Sequence, residues 1–218
     1  MKLQLAKNTK LLIAEDQVLA KSHIHYALEQ LGFRNMDYVD RPSHALSAIQ
    51  EHDYDAIICS YNLRSEQGGY FLLEQLNAAH TLPLTSAFIF TSADTSTEVV
   101  HAIIELQPDE FIAKPFSVNE LDRRLSRVLS RKKALKNVYA FMDKKDYEKA
   151  LAEIEFFLLQ PENADHFPLA MKIKGDLFLL TQQYQTAIAF FESIINVQDF
   201  NWAKMGIAKS LIALNEFD

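Results

Sequence analysis

Through the first ~130 residues, short apolar runs alternate with stretches in which apolar residues recur every three or four positions, the rhythm of βα units. Leu11-Leu12-Ile13-Ala14 is such a run and ends at Glu15-Asp16. Val18 to Leu31 carries Leu19, Ile24, Ala27, Leu28 and Leu31 at helical spacing, with Gly32 as its stop. Met36 to Val39 is a second predicted strand, and Pro42-Ser43 opens a helix through Ala45, Leu46 and Ile49. Ala56-Ile57-Ile58-Cys59 (ending at Ser60), Ala87 to Thr91 and Glu110 to Ala113 complete five strands. Further helices are predicted after Gly68-Gly69, from Ser96 to Leu106 and from Asn119 to about Arg131. The central runs lack strict alternation, as strands buried on both faces do. The pattern therefore predicts an α/β fold, a five-stranded parallel doubly wound sheet covered by helices on both sides.

From about Lys132 the rhythm changes. Helical spacing continues to the end with short loops, and a repeat emerges: Asp146-Tyr147-Glu148-Lys149-Ala150-Leu151 is matched by Gln183-Tyr184-Gln185-Thr186-Ala187-Ile188, and a third copy begins at Glu216-Phe217-Asp218. The aromatic positions 147, 184 and 217 are 37 and 33 residues apart. Two domains are expected, 1–131 of α/β type and 132–218 of all-α helical repeats. Because repeat units bury their apolar faces only against neighbours, and the third copy is cut short, a longer parent protein is expected.

Composition narrows this picture. Of the 218 residues, 49% are hydrophobic and 23% charged, which is globular. A single cysteine excludes a disulfide framework and multi-cysteine metal sites, and no apolar run reaches the length of a membrane span or a signal peptide core. A reducing, cytoplasmic setting without membrane contact is expected. Residues 1–118 hold 8 Lys or Arg against 15 Asp or Glu, the whole excess of negative charge, whereas residues 119–218 hold 14 of each. Seven of the basic residues lie between Arg123 and Lys136 with no acid among them. Contact with nucleic acid is one reading of that run. The favoured one is a solvated helix face joining the domains, since the chain is acidic overall and no recognition helix accompanies the run.

In doubly wound sheets the working site lies at the carboxyl ends of the strands, which selects Glu15, Asp16, Ser60, Thr91 and Lys114. Adjacent carboxylates there call for a cation such as Mg²⁺, although an acidic pair by itself more often marks a solvated loop. Lys114 can neutralise an anion and Thr91 can offer a hydroxyl. The seven histidines form no ligand set; His23 and His25, two apart, point to different sides of a helix. Cys59 is expected to pack as a small apolar residue, and Gly68-Gly69 to act as a loop hinge without the pattern of a phosphate cradle.

Four segments carry a family resemblance: Leu12-Ile13-Ala14-Glu15-Asp16, Asp55 to Leu63, Phe90-Thr91-Ser92-Ala93, and Phe111-Ile112-Ala113-Lys114-Pro115-Phe116. Together residues 10–130 resemble the receiver domain of bacterial two-component response regulators, the CheY-like fold. The resemblance implies that Glu15, Asp16 and Asn62 mark a Mg²⁺ site, that Thr91 and Lys114 bind phosphoryl oxygens, and that Phe111 is the aromatic that changes rotamer. The phosphoacceptor aspartate aligns with Ser60, a neutral and poor nucleophile without an adjacent base. Mg²⁺ affinity should fall with the lost carboxylate, leaving a weak or vestigial site, and Lys114 is expected to turn to Asp16. Arg64 stands where the family has a proline.

The tail resembles tetratricopeptide (TPR) repeats: Gly175, Phe178, Tyr184, Ala187 and Phe191 in one copy, Tyr147, Ala150, Ile154 and Pro161 before it, and Trp202, Ala208, Leu211 and Phe217 after it. Met171 stands where that pattern prefers Trp. The expected protein is a non-enzymatic phosphorelay adaptor. Its pseudo-receiver would bind a histidine kinase, a phosphotransfer protein or another response regulator without taking phosphate, and its repeats would hold a second protein. A weak homodimer is compatible with the fold, and nucleic acid is not expected as a partner. The alternative is a conventional phosphorylation-switched regulator whose aspartate was replaced by Ser60 through engineering.

Overall fold

The computed structural model describes residues 3–215, with side chains from Ala6 onward. The chain divides between Lys133 and Ala134 into two compact units.

The first unit contains α1 (Leu3–Asn8), β1 (Lys10–Ala14), α2 (Val18–Gln30), β2 (Asn35–Val39), α3 (Pro42–Glu51), β3 (Ala56–Ser60), α4 (Gly68–Ala79), β4 (Ala87–Ser92), α5 (Thr97–Leu106), β5 (Glu110–Ala113) and α6 (Val118–Ala134). All strand pairs are parallel, in the order β2-β1-β3-β4-β5. This is the five-stranded doubly wound sheet that the alternating pattern predicts. The chain moves outward from β1 to β2, then crosses back to β3, so the reversal point lies between β1 and β3.

Alternation along each strand sends side chains to two separate cores. Ile13, Ile58, Ile89 and Ile112 pack under α2 and α6, against Ile24, Leu28, Leu121 and Leu125. Leu12, Ile57, Phe88 and Phe90 face the other way, against Leu72, Leu76 and Ile103 of α4 and α5. Every residue of β3 and β4 is buried, which explains why their sequences carry no alternation of polarity.

Three local readings are corrected. The short helix α1 has no counterpart in the predicted elements; six residues are too few for periodicity to register. Gly68-Gly69 is not a loop hinge but the first turn of α4. A Cβ on Gly69 would lie 2.1 Å from the carbonyl oxygen of Ser60, and one on Gly68 would lie 2.0 Å from that of Leu63. The glycines are there to let α4 start hard against the end of β3. The basic run on α6 is not simply solvated: Arg124 reaches Glu110 at 3.0 Å, Arg127 pairs with the same carboxylate, and Arg131 and Lys132 hold Asp109 at 3.2 and 3.0 Å. The residues leading into β5 thus neutralise much of that face from within the unit.

The second unit contains α7 (Lys136–Asp143), α8 (Tyr147–Leu158), a 3-10 turn (Pro161–His166), α9 (Phe167–Leu180), α10 (Tyr184–Val197) and α11 (Asn201–Leu214). Its own core gathers Val138, Ile154, Leu177, Ala187, Phe191 and Ala203. Lys145, Gln182 and Asn215, the residues that turn the chain after α7, α9 and α11, all take left-handed backbone angles and stand 37 and 33 residues apart. The Phe191 ring of α10 sits between two glycines: a Cβ on Gly175 of α9 would meet it at 2.3 Å and one on Gly206 of α11 at 2.4 Å. Ala208, expected as a packing position, is exposed; Ala203, Gly206 and Ser210 form the buried stripe of α11 instead. Phe217 lies outside the described residues.

Candidate functional site

The site follows from register. Ser60 pairs with Thr91 across β3 and β4, Ala14 pairs with Cys59, and Ser92 pairs with Ala113. The residues that leave the sheet at its carboxyl edge are therefore Glu15, Ser60, Thr91 and Lys114. Each is two residues beyond an isoleucine of the α2–α6 core: Ile13, Ile58, Ile89 and Ile112 respectively. Strand alternation gives all four side chains the same face of the sheet.

Glu15 is 1% exposed. Its Oε2 receives the Lys114 ammonium in an ion pair, and its Oε1 accepts the Gln17 N–H at 3.1 Å. Lys114 is itself anchored by its backbone N–H, which donates to the Ser92 carbonyl at 2.7 Å. Its ammonium also reaches Ser60 Oγ at 3.4 Å, a long contact on which little strength rests. The expected partner of Lys114 was Asp16; the structure corrects this to Glu15. Asp16 is one residue further on, off the face that Lys114 shares, and is half-exposed.

Ser60 is 7% and Thr91 0% exposed, and the Thr91 hydroxyl has no hydrogen-bond partner in the protein. Next door, Tyr61 is 1% exposed with its hydroxyl also unpartnered, and its ring meets Phe90 and Tyr70 edge-on at 5.9 and 6.3 Å. Neither orphan hydroxyl could be foreseen from sequence, though their strand positions could. Phe111 pairs in register with Phe90 and lies half-buried on the α4–α5 side. Cys59 is buried beneath the site, and burial, aided by the Glu15 carboxylate, pushes its thiol far above the ordinary range.

Asn62 stands exposed beyond Ser60, its Oδ1 accepting the Gln67 N–H at 2.9 Å. Arg64 and Gln67 in the same loop have φ of 64° and 58°. Proline, fixed near −65°, could not occupy position 64 in this conformation. Among the described residues no group of three His, Cys, Asp or Glu side chains is placed to hold a metal. Mg²⁺ asks for near-octahedral oxygen ligands. Here both Glu15 oxygens are engaged, Ser60 offers a neutral hydroxyl, the Asn62 side-chain oxygen is tied to its loop, and the half-exposed Asp16 carboxylate by itself cannot supply the set. The donor set does not fit a resident Mg²⁺.

Beside Lys114 opens a cleft of about 370 Å³, lined by Leu19, His23, Ile24, Ala93 and Phe116 among others. Leu19, among these lining residues, is 86% exposed.

Residues 11–126, about half of the chain and all within the first unit, match the family model of the response regulator receiver domain. The chain belongs to the response regulator receiver family. Receivers serve two-component signalling, in which they meet histidine kinases or phosphotransfer proteins. The probable chemotaxis protein CheY of Rhizobium etli is 27% identical over 128 residues, 58% of this chain and 96% of that relative. The transcriptional regulatory protein BasR of Escherichia coli is 29% identical over 122 residues, 56% of this chain and 53% of BasR. Among solved structures, the receiver domain of the Pseudomonas aeruginosa sensor histidine kinase PA1611, with a magnesium ion coordinated in its cleft, superposes with a TM-score of 0.51 at 23% identity, over 57% of this chain and 99% of that one. That likeness speaks for the fold. The family model leaves the second unit outside its span. No helix among the described residues is long and apolar enough to cross a membrane.

Proposed function

We propose that this chain is a non-enzymatic, cytoplasmic two-component adaptor whose receiver binds a histidine kinase, a phosphotransfer protein or another receiver without accepting a phosphoryl group. The observation that carries the reading is the Glu15–Lys114 pair with Ser60 beside it. A receiver that takes phosphate needs a carboxylate at the end of β3, and it needs its lysine for the phosphoryl oxygens. Here the position holds a hydroxyl with no adjacent base, and the lysine is engaged by a buried carboxylate. The apolar cleft beside Lys114, with Leu19 exposed at its rim, supports docking of a partner on this face.

The second unit is read as TPR-like repeats that hold a second protein. Three left-handed turns at near-34-residue spacing, and one phenylalanine seated between glycines of two neighbouring helices, support it. The retained Glu15, Asp16, Thr91 and Lys114 favour the second reading, a conventional switch in which an aspartate was exchanged for Ser60; the codon of the native gene separates the two. The direct assay incubates the full chain with a small-molecule phosphodonor and Mg²⁺, with mass spectrometry as the readout. The proposal expects no added phosphate; an acid-labile adduct of about 80 Da, the net addition of one HPO₃, would overturn it.

A further inference from the structure

We infer that the Lys114 ammonium is the resident cation of this site, supplying the counter-charge that a divalent ion would otherwise supply, so that the receiver is metal-independent. The inference deepens the reading above and rests on it, because both start from the Glu15–Lys114 pair.

A carboxylate as buried as that of Glu15 is costly without a counter-charge. Two kinds of cation could supply it. A metal would come from solution and demand several oxygens at near-octahedral angles. The lysine is covalently present, held in register by the Ser92 carbonyl, and its side chain is only 16% exposed. With Gln17 on the other Glu15 oxygen, each oxygen of the carboxylate already has a partner.

The charge count points the same way. Glu15 and Asp16 against Lys114 leave one net negative charge at the strand ends, and that charge sits on half-exposed Asp16, where water and salt screen it. No third carboxylate adds to it, since position 60 is serine. A dication would have to evict the ammonium from a buried pair, leaving two cations to share what two carboxylates offer.

An unusual consequence follows. Removing a positive charge should create a metal response. In Lys114→Met, Glu15 and Asp16 stand adjacent and unneutralised, the arrangement that a divalent ion relieves.

The experiment uses the full chain with metal alone: Mn²⁺ followed by electron paramagnetic resonance, and thermal melts in EDTA against MgCl₂. Wild type is expected to leave the free Mn²⁺ signal undiminished up to about 1 mM, the weak end of protein sites for hard divalent ions. Its melting point should move by less than about 1 °C between EDTA and roughly 10 mM MgCl₂. Lys114→Met is expected to melt lower in EDTA and to recover about 5 °C in MgCl₂, the shift that binding at about 1 mM would give. Saturable Mn²⁺ uptake by wild type below about 1 mM would overturn the inference, as would a folded Lys114→Met without metal response. Should that variant not fold in EDTA, the wild-type titration decides by itself. No phosphodonor is present, so a wild type that takes up Mn²⁺ defeats this inference and leaves the phosphoryl reading to its own assay.

Discussion

Thr91 holds a hydroxyl at 0% exposure with no partner in the protein, beside a serine and facing the same side as the Glu15–Lys114 pair. An unpaired buried hydroxyl costs stability, whereas an apolar group of the same shape does not. Thr91→Val is therefore expected to stabilise the receiver by about 0.5–1 kcal/mol, read as a higher urea midpoint at unchanged slope. A loss of stability would mean that the hydroxyl has a partner in solution. The same scale shows how far the site was legible. Glu15, Ser60, Thr91 and Lys114 were found because parallel βα units deliver their strand ends to one edge. Edge position without parity points Lys114 to Asp16. Glu15 is two residues beyond Ile13 and Lys114 two beyond Ile112, so alternation alone puts both on the α2–α6 face, whereas Asp16 follows Ala14 of the opposite core. What parity could not supply is the burial that makes the pair matter.

Elements were legible where they were long and periodic, and missed where a second cause shaped them. β1, β3 and β4 are legible by apolarity alone, and α2 by its spacing. Gly68-Gly69 misled because glycine serves both mobility and close approach, and only the 2.1 Å distance from a hypothetical Cβ to the Ser60 carbonyl distinguishes the two. The second unit shows the same ambiguity. Gly175 falls at a repeat position, whereas its counterpart on the other side of Phe191, Gly206, is not marked by the repeat pattern, which points to Ala208 and Leu211. The energetics can be tested there. In Gly175→Ala a methyl group would lie 2.3 Å from the Phe191 ring, so the ring or the helix must move. Overpacking of this kind costs about 1–3 kcal/mol, against about 1 kcal/mol gained in helix propensity. The expected result is a lower melting point for the helical unit by circular dichroism, partly restored when Phe191→Leu is added. A Gly175→Ala protein that melts higher than wild type would show that Phe191 is not wedged between the glycines.

For the whole molecule, the decisive quantity is the charge at one sheet edge. The excess of acidic residues in 1–118 is partly neutralised internally, Glu15 by Lys114, and Asp109 and Glu110 by basic residues of α6. If the absence of a carboxylate at position 60 is what silences the switch, restoring it should restore the chemistry, since the other positions are already in one row. In S60D the new carboxylate would stand where the Ser60 hydroxyl lies 3.4 Å from the Lys114 ammonium, close enough to compete with Glu15 for it. Glu15 and Asp16 would then be released toward a metal, and a nucleophile able to form an acyl phosphate would sit among them. S60D is thus expected to gain a phosphodonor- and Mg²⁺-dependent, acid-labile adduct that wild type lacks, and retention of a signalling partner by the full chain should respond to phosphodonor in S60D alone. An S60D chain that folds, binds Mg²⁺ and still takes no phosphate would place the defect elsewhere, in the Tyr61–Gln67 loop, where Arg64 holds a backbone angle that proline cannot adopt.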